Sequence, residues 1–140
     1  MTVQTDTLKL ELSTPDRAPV SLEAREITIP GAKGVFTVLP NHTPYLATLS
    51  VGVMIVRGTD GSENFFAINR GFAEVVQNQI LILTQTAERE EEVDVERAEK
   101  AKERAEERLQ KRDADIDHMR AEFALRRAVS RIRAHQRDAY

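Results

Sequence analysis

Cysteine is absent from this 140-residue chain, and so is tryptophan. Without thiols there is neither a disulfide framework nor a thiolate metal site, a composition that suits a reducing compartment. Aromatic residues make up only 5% of the sequence, so any core must be built from aliphatic side chains. No stretch approaches the roughly 18 apolar residues of a membrane-spanning helix. The opening MTVQTDTLKLELS has neither a basic segment leading into an apolar one nor an Arg-rich amphipathic pattern, so no secretory or transit segment is expected. Glycine and proline also run out, for neither occurs anywhere in residues 72–140.

What is present divides the chain in two, enough for one small domain with an appendage. Residues 1–87 have the grammar of strands. Leu8, Leu10 and Leu12 alternate with Lys9 and Glu11, and Val20, Leu22 and Ala24 alternate in the same way. Pro30-Gly31, Gly34, Pro40 and Pro44 punctuate turns. VGVMIVRG and ENFFAINRG flank Thr59-Asp60-Gly61-Ser62, a good hairpin signal, and GFAEVV and QILILT flank Gln77-Asn78. Short strands at this spacing predict an antiparallel β-sandwich or a flattened barrel.

From residue 89 the composition becomes Ala, Glu, Lys and Arg, all strong helix formers. The pattern predicts a helix over 93–111, a break at Asp113-Ala114-Asp115, and a second helix over 116–137. The apolar stripes are mostly alanine: Ala98, Ala101, Ala105 and Leu109 on the first helix, Ala121, Leu125, Ala128 and Ile132 on the second. Such stripes pack closely but bury little area, so the hairpin is expected to dock on something larger. A permanently docked hairpin and a detachable one fit the pattern equally well. The expected division is 1–88 for the sandwich and 89–140 for the hairpin.

Charge follows the same division. Residues 1–88 hold six basic and nine acidic side chains, whereas residues 89–140 hold 14 of each. Arg120, Arg126, Arg127, Arg131, Arg133 and Arg137 crowd the end of the chain. Glu122 and Asp138 interrupt that stripe, aromatics do not interleave it, and the whole chain is acidic, so no nucleic-acid partner is expected. An acidic protein surface suits it better.

Catalytic signatures are missing. Pro30-Gly31-Ala32-Lys33-Gly34 lacks phosphate-loop spacing and joins two strands, and His42, His118 and His135 have no metal-ligand spacing. No Ser, His and Asp set suggests itself. One motif does recur. VDVERA (93–98) and IDHMRA (116–121) share an aliphatic-Asp-x-x-Arg-Ala pattern. For either copy alone, an Asp opening a helix and pairing with Arg on the surface is a sufficient account. The surroundings separate the copies. A turn near residues 113–114 sets Arg97 opposite residue 130 and Arg104 opposite residue 123, with Arg127 between those points and Arg131 one residue beyond. Arg97 and Arg104 share one helix face, and Arg127 and Arg131 share another. Four converging guanidiniums repel unless an anion or carboxylates lie among them, and a polyphosphate suits them. Glu88 and Asp94 are placed to accept hydrogen bonds from a base; Glu90, Glu103 or Glu107 are the internal alternative to a ligand. Arg120 sits beside the turn, so the second copy is expected to be a helix start only.

PGAKGVFTVLPNHTP (30–44), RGFAEV (70–75) and ILILTQTAERE (80–90) resemble the epsilon-subunit family of bacterial F-type ATP synthases. The resemblance extends through VDVERAEKAKERAEERL and IDHMRAEFALRRAVSRIRA, so it covers essentially the whole chain. It implies a ten-stranded β-sandwich followed by a two-helix hairpin, in a non-catalytic central-stalk subunit peripheral to the cytoplasmic face of the bacterial plasma membrane. The implied partners are the gamma subunit, the ring of c subunits and, for an extended hairpin that hinders hydrolysis, an acidic part of beta in the alpha/beta head. The implied rotor contacts are Gly31, Gly34, Val35, Pro40 and His42, the last of which also reads as an ordinary loop histidine. No cofactor or metal is implied, but ATP is a possible regulatory ligand. Its contacts would fall on Glu88, Asp94, Arg97, Ala98, Arg104, Arg127 and Arg131, with Val93 where the family motif has Ile or Leu. Val35, Thr37, Asn41 and Arg70 depart from the family, where Glu, Gly, Gly and Gly are frequent.

Overall fold

A computed structural model describes residues 6–114 and 116–139. Ten strands come first: β1 (Leu8–Ser13), β2 (Val20–Ala24), β3 (Glu26–Gly31), β4 (Gly34–Val38), β5 (Tyr45–Leu49), β6 (Gly52–Arg57), β7 (Glu63–Ile68), β8 (Gly71–Val76), β9 (Gln79–Thr84) and β10 (Ala87–Arg89). A 3₁₀ turn (Glu90–Glu92) then leads to α1 (Val95–Gln110) and α2 (His118–His135). The expected sandwich with a helical hairpin is the architecture found.

The strands form one curled sheet in the order β10-β7-β6-β3-β5-β8-β9-β1-β2, with β4 paired to β3. Its two halves join through a single residue pair, Gly31 with Leu49, and close on a core of Leu8, Leu10, Ile27, Ile29, Phe66, Ile68, Ile80 and Ile82. One pairing departs from the antiparallel expectation: β1 runs parallel to β9. Parallel neighbours need a long connection, which the β2–β8 segment supplies, and alternation within a strand does not encode its partner's direction.

The two hairpins read from sequence are present, joining β6 to β7 and β8 to β9. At the second, Gln77 and Asn78 both take positive φ (48° and 64°), as a type I′ turn requires. Two family departures have a backbone counterpart, since Asn41 (φ 67°) and Arg70 (φ 49°) occupy the left-handed region where glycine carries least strain.

Both helices are shorter than expected because an aspartate, not the preceding aliphatic residue, starts each one. Asp94 caps α1 and Asp117 caps α2, each side chain accepting the backbone N–H three residues on, from Arg97 and Arg120, at 3.1 Å. A cap residue lies outside the helix it opens. The break is therefore longer than expected, spanning 111–117, with Asp115 outside the described residues. At its other end α2 stops after His135 with a Schellman closure: the Arg137 and Asp138 N–H groups return to the carbonyls of Ala134 and Arg133, and Arg137 takes φ 57°.

α2 is the element that docks. It lies over the outer face of β6 and β7, while α1 packs chiefly on α2. Val53, Ile55, Phe65 and Ala67, which point away from the sandwich core, are buried together with Ala134. Ser130 is also buried and donates from Oγ to the Gly52 carbonyl at 2.8 Å. The alanine stripes carry the helix-to-helix seam as expected, with Ala98 and Ala105 buried on α1 and Ala121 and Ala128 on α2. Ala101, Leu109 and Leu125 stay partly exposed, whereas Ser130 and Ala134 are buried because α2 serves two partners at once.

Candidate functional site

The segment between β10 and α1 gathers the acidic residues that meet α2. Glu88 Oε1 accepts from Arg131 Nη2 at 2.9 Å. One residue pair further on, Glu90 takes both its oxygens to Arg137 Nη1, at 2.7 and 2.6 Å. Arg137 also donates from Nη2 to the Glu63 carbonyl at 3.2 Å and lies 4.9 Å from the centroid of the Phe65 ring. The internal competitor expected for the arginine cluster thus resolves differently. Glu90 goes to Arg137, outside the cluster, and the carboxylate that reaches the cluster is Glu88.

The other cluster members lie where helical spacing puts them. Arg97 and Arg104 are exposed on α1, two turns and about 10 Å apart along the axis. Arg127 is partly exposed on α2, one turn before Arg131. Among the described residues, Arg97, Arg104 and Arg127 are in no ion pair, and Glu103 and Glu107 neutralise none of them. Ala98 is 1% exposed and forms part of the helix seam, beside Arg97. Asp94 spends one carboxylate oxygen on its cap, which leaves the other for a donor. The structure thus puts Arg97 and Arg104 on α1 and Arg127 and Arg131 on α2 of the docked hairpin, with Glu88 and Asp94 in the segment that leads into it.

A second linkage steadies the same connecting segment. Arg17, in the β1–β2 loop, pairs with Glu92 at 2.7 Å, and Glu92 also accepts the Arg89 N–H at 3.1 Å. The hydrogen bond from Arg17, partly offset by burial, holds the Glu92 carboxyl below the usual glutamate range. A depressed carboxyl pKa stabilises the folded state at pH values above the ordinary glutamate value, and the contribution disappears as pH falls through the depressed value. Arg17→Ala is therefore expected to raise the Glu92 titration midpoint toward that of an ordinary glutamate, read by carboxyl ¹³C NMR across an acid titration. A midpoint unmoved by the substitution would show that Arg17 does not govern this carboxyl.

The residues expected to meet a rotor lie at a different place. Gly31 and Gly34 flank the tight β3–β4 turn, Val35 is 53% exposed, and Pro40 and His42 are half-buried in the following loop. His42 Nδ1 lies 2.6 Å from the Thr43 carbonyl and its ring is edge-on to Tyr45. The turn borders a groove of about 280 Å³ whose wall includes Tyr45, Leu46 and Phe72. Leu46 is 70% exposed and Phe72 53%, and with Leu83 beside Phe72 they extend an apolar strip across β5, β8 and β9. Sequence reading passed over these three. Their signal is one of phase: in GFAEVV the core takes Ala73 and Val75, so Phe72 shares the outward phase of Glu74.

The class of protein that the structure defines is a β-sandwich that carries a helical hairpin on one outer face, with arginines on the hairpin and exposed apolar side chains across β5, β8 and β9. Sequence comparison specifies the family. The family described as ATP synthase, Delta/Epsilon chain, matches over residues 7–90 with its beta-sandwich domain and over 91–136 with its long alpha-helix domain. The chain is 45% identical to the ATP synthase epsilon chain of Moorella thermoacetica over 127 residues, 91% of this chain and 95% of that one. It is 42% identical to that of Syntrophomonas wolfei over 131 residues, 94% and 96% of the two chains. Among solved structures, it resembles a chain of the Euglena gracilis mitochondrial ATP synthase described as OSCP/F1/c-ring, with TM-score 0.80, 28% identity, and coverage of 89% of this chain and 79% of that one. The chain belongs to the ATP synthase delta/epsilon chain family, as a non-catalytic epsilon subunit of that enzyme. It associates with a membrane through the complex; among the described residues no helix is long and apolar enough to cross one.

Proposed function

We propose that this subunit sits in the central stalk, couples the catalytic head to the c-ring, and restrains ATP hydrolysis through a hairpin that binds ATP while docked. The observation that carries the nucleotide reading is the set of unpaired guanidiniums, Arg97, Arg104 and Arg127, on the same docked hairpin as Arg131. Phosphate oxygens would supply the negative charge these arginines lack, and the free oxygen of Asp94, with Glu88, would accept from the base. Isothermal titration of the full chain with ATP tests this. Wild type is expected to release binding heat, and Arg97→Ala to weaken affinity about 10- to 100-fold, the worth of a charged hydrogen bond. Arg120→Ala, at the second copy of the motif, is expected to change nothing. Silence in wild type, or equal affinity in Arg97→Ala, sinks the nucleotide reading.

The stalk placement draws on the likeness to the Euglena structure, described as OSCP/F1/c-ring. The apolar strip of Leu46, Phe72 and Leu83 is the surface for the gamma subunit, and the turn and loop bearing Gly31, Gly34, Val35, Pro40 and His42 face the c-ring. The subunit then lies peripherally on the cytoplasmic face of a bacterial plasma membrane. Released, the arginines of α2 would meet an acidic part of beta in the alpha/beta head. A second reading is favoured by the Glu88–Arg131 pair, which fastens the hairpin without a nucleotide: a purely structural stalk subunit. Titration separates it from the first. Copurification with gamma separates both from a stand-alone ATP sensor.

A further inference from the structure

Arg70 and Phe123 belong neither to the nucleotide set nor to the rotor set. Arg70 stands in the bend between β7 and β8 with φ 49°, a strained backbone for a residue with a side chain. Its guanidinium carbon lies 4.5 Å from the centroid of the Phe123 ring, on α2. Arg126 of the same helix lies 5.6 Å from that ring and is itself held by Glu122 at 3.3 Å. The aromatic face thus takes one cation from the sandwich and one from its own helix.

The position of this contact is as informative as its chemistry. α2 runs antiparallel to β7 and is fastened along it in sequence. Arg137 is held at Glu63 and Phe65, where β7 begins; Ser130 is held at Gly52, which pairs with Ile68 where β7 ends. Phe123 is held just beyond, at Arg70. Among these contacts it lies nearest the start of α2, and α1 packs chiefly on α2. Between the fastenings Ala134 closes an apolar seat on Val53, Ile55, Phe65 and Ala67, and the discrete contacts act beside that seat, toward the ends of the helix.

We propose that Arg70 is a strut that sets how readily the hairpin leaves the sandwich, by stacking on Phe123 at the point where the hairpin would begin to peel away. The inference rests on the mobile-hairpin reading above but not on nucleotide binding. The cation over the ring is attracted by its quadrupole, and at a half-exposed site this shifts the docking equilibrium about two- to five-fold.

The native chain has no cysteine, so two introduced ones carry spin labels uniquely, at exposed Ser21 on β2 and Met119 at the hairpin tip. Pulsed EPR then reads docked and released distances in the full chain without ATP, at the urea concentration that releases half of the wild-type hairpins. Arg70→Gly and Phe123→Leu are each expected to raise the released-to-docked ratio about two- to five-fold, and the double variant no further than either single. Glycine suits the left-handed backbone, so the sandwich of Arg70→Gly should melt no lower than wild type, a result a general destabilisation would not produce. A ratio unchanged in Arg70→Gly, or effects that multiply in the double variant, overturns the strut. Ala134→Glu serves as the released reference. If it releases while Arg70→Gly does not, the strut falls and the mobile hairpin stands; if it stays docked, both fall.

Discussion

Gly71→Ala is expected to abolish folding of the sandwich, whereas Gly61→Ala is expected to leave it folded with a melting midpoint lower by a few degrees. Both glycines have positive φ, 146° and 85°, so both substitutions strain the backbone. The surroundings decide the difference. A Cβ on Gly71 would lie 1.8 Å from the Leu83 carbonyl oxygen and 2.8 Å from its carbon, while one on Gly61 would meet open space. Leu83 has no freedom to retreat. It pairs with Phe72 on one side and with Ser13 of β1 on the other, near the end of β9, the middle strand of that half of the sheet. Separating β8 from β9 there removes several ladder bonds and exposes Ala73, Val75, Ile80 and Ile82, all at most 1% exposed. A cost above about 4 kcal/mol is a large share of the roughly 5–15 kcal/mol that holds a domain folded. Circular dichroism and soluble yield check this; a folded Gly71→Ala chain that melts like Gly61→Ala would show that the β8–β9 spacing is slack.

Ala134→Glu is expected to release the hairpin while the sandwich stays folded. Ala134 is 0% exposed and sits among Val53, Ile55, Phe65 and Ala67, and Arg137, the cation that lies over Phe65, is already held by Glu90. Burying a carboxylate among them costs about 3 kcal/mol or more in an unpaired state. Release re-exposes Val53, Ile55 and Phe65, so the buried charge, with the volume that Glu adds at a fully buried alanine, has to outweigh that contact. Arg133→Glu, one residue earlier and exposed, is the matched control and should remain docked. Protonation of the introduced carboxyl removes its charge but not its added volume, so acidification should return the hairpin of Ala134→Glu only partly toward the docked distance. Persistence of the docked distance at neutral pH would mean that the hairpin is fixed to the sandwich. In the assembled ATPase, the released hairpin should lower hydrolysis if the proposed inhibitory role holds; unchanged hydrolysis alongside demonstrated release would remove that role.

Much of the fold is legible residue by residue. The Leu8–Leu12 alternation, the Asp60-Gly61 turn and the alanine stripes each lead to the element found, because each rests on a local period or a local backbone preference. The repeated hexapeptide is the clearest case. Both copies put their Asp at an N-cap and bond it to the Arg backbone N–H, so the shared letters encode a shared helix start. What distinguishes the copies is their position in the hairpin. Candidate-site residues were legible to the same depth: spacing put Arg97 with Arg104 and Arg127 with Arg131, but it left the carboxylate partner open among Glu90, Glu103 and Glu107. The structure gives Arg131 to Glu88 and Glu90 to Arg137.

The sequence alone determined the succession of strands followed by two helices, the turns at Asp60-Gly61 and Gln77-Asn78, and that the final segment is a charged hairpin with too little apolar area to stand alone. These follow from interactions within a few residues, which composition and period report directly. Only the tertiary structure decided that β1 lies parallel to β9, that α2 covers the outer face of β6 and β7, and that Arg70 stacks on Phe123. It also decided which arginines of the tail are held by carboxylates and which remain unpaired. Those pairings join residues dozens of positions apart, and they exist only because α2 docks in one register, set by Ser130 on Gly52 and Arg137 on Glu90.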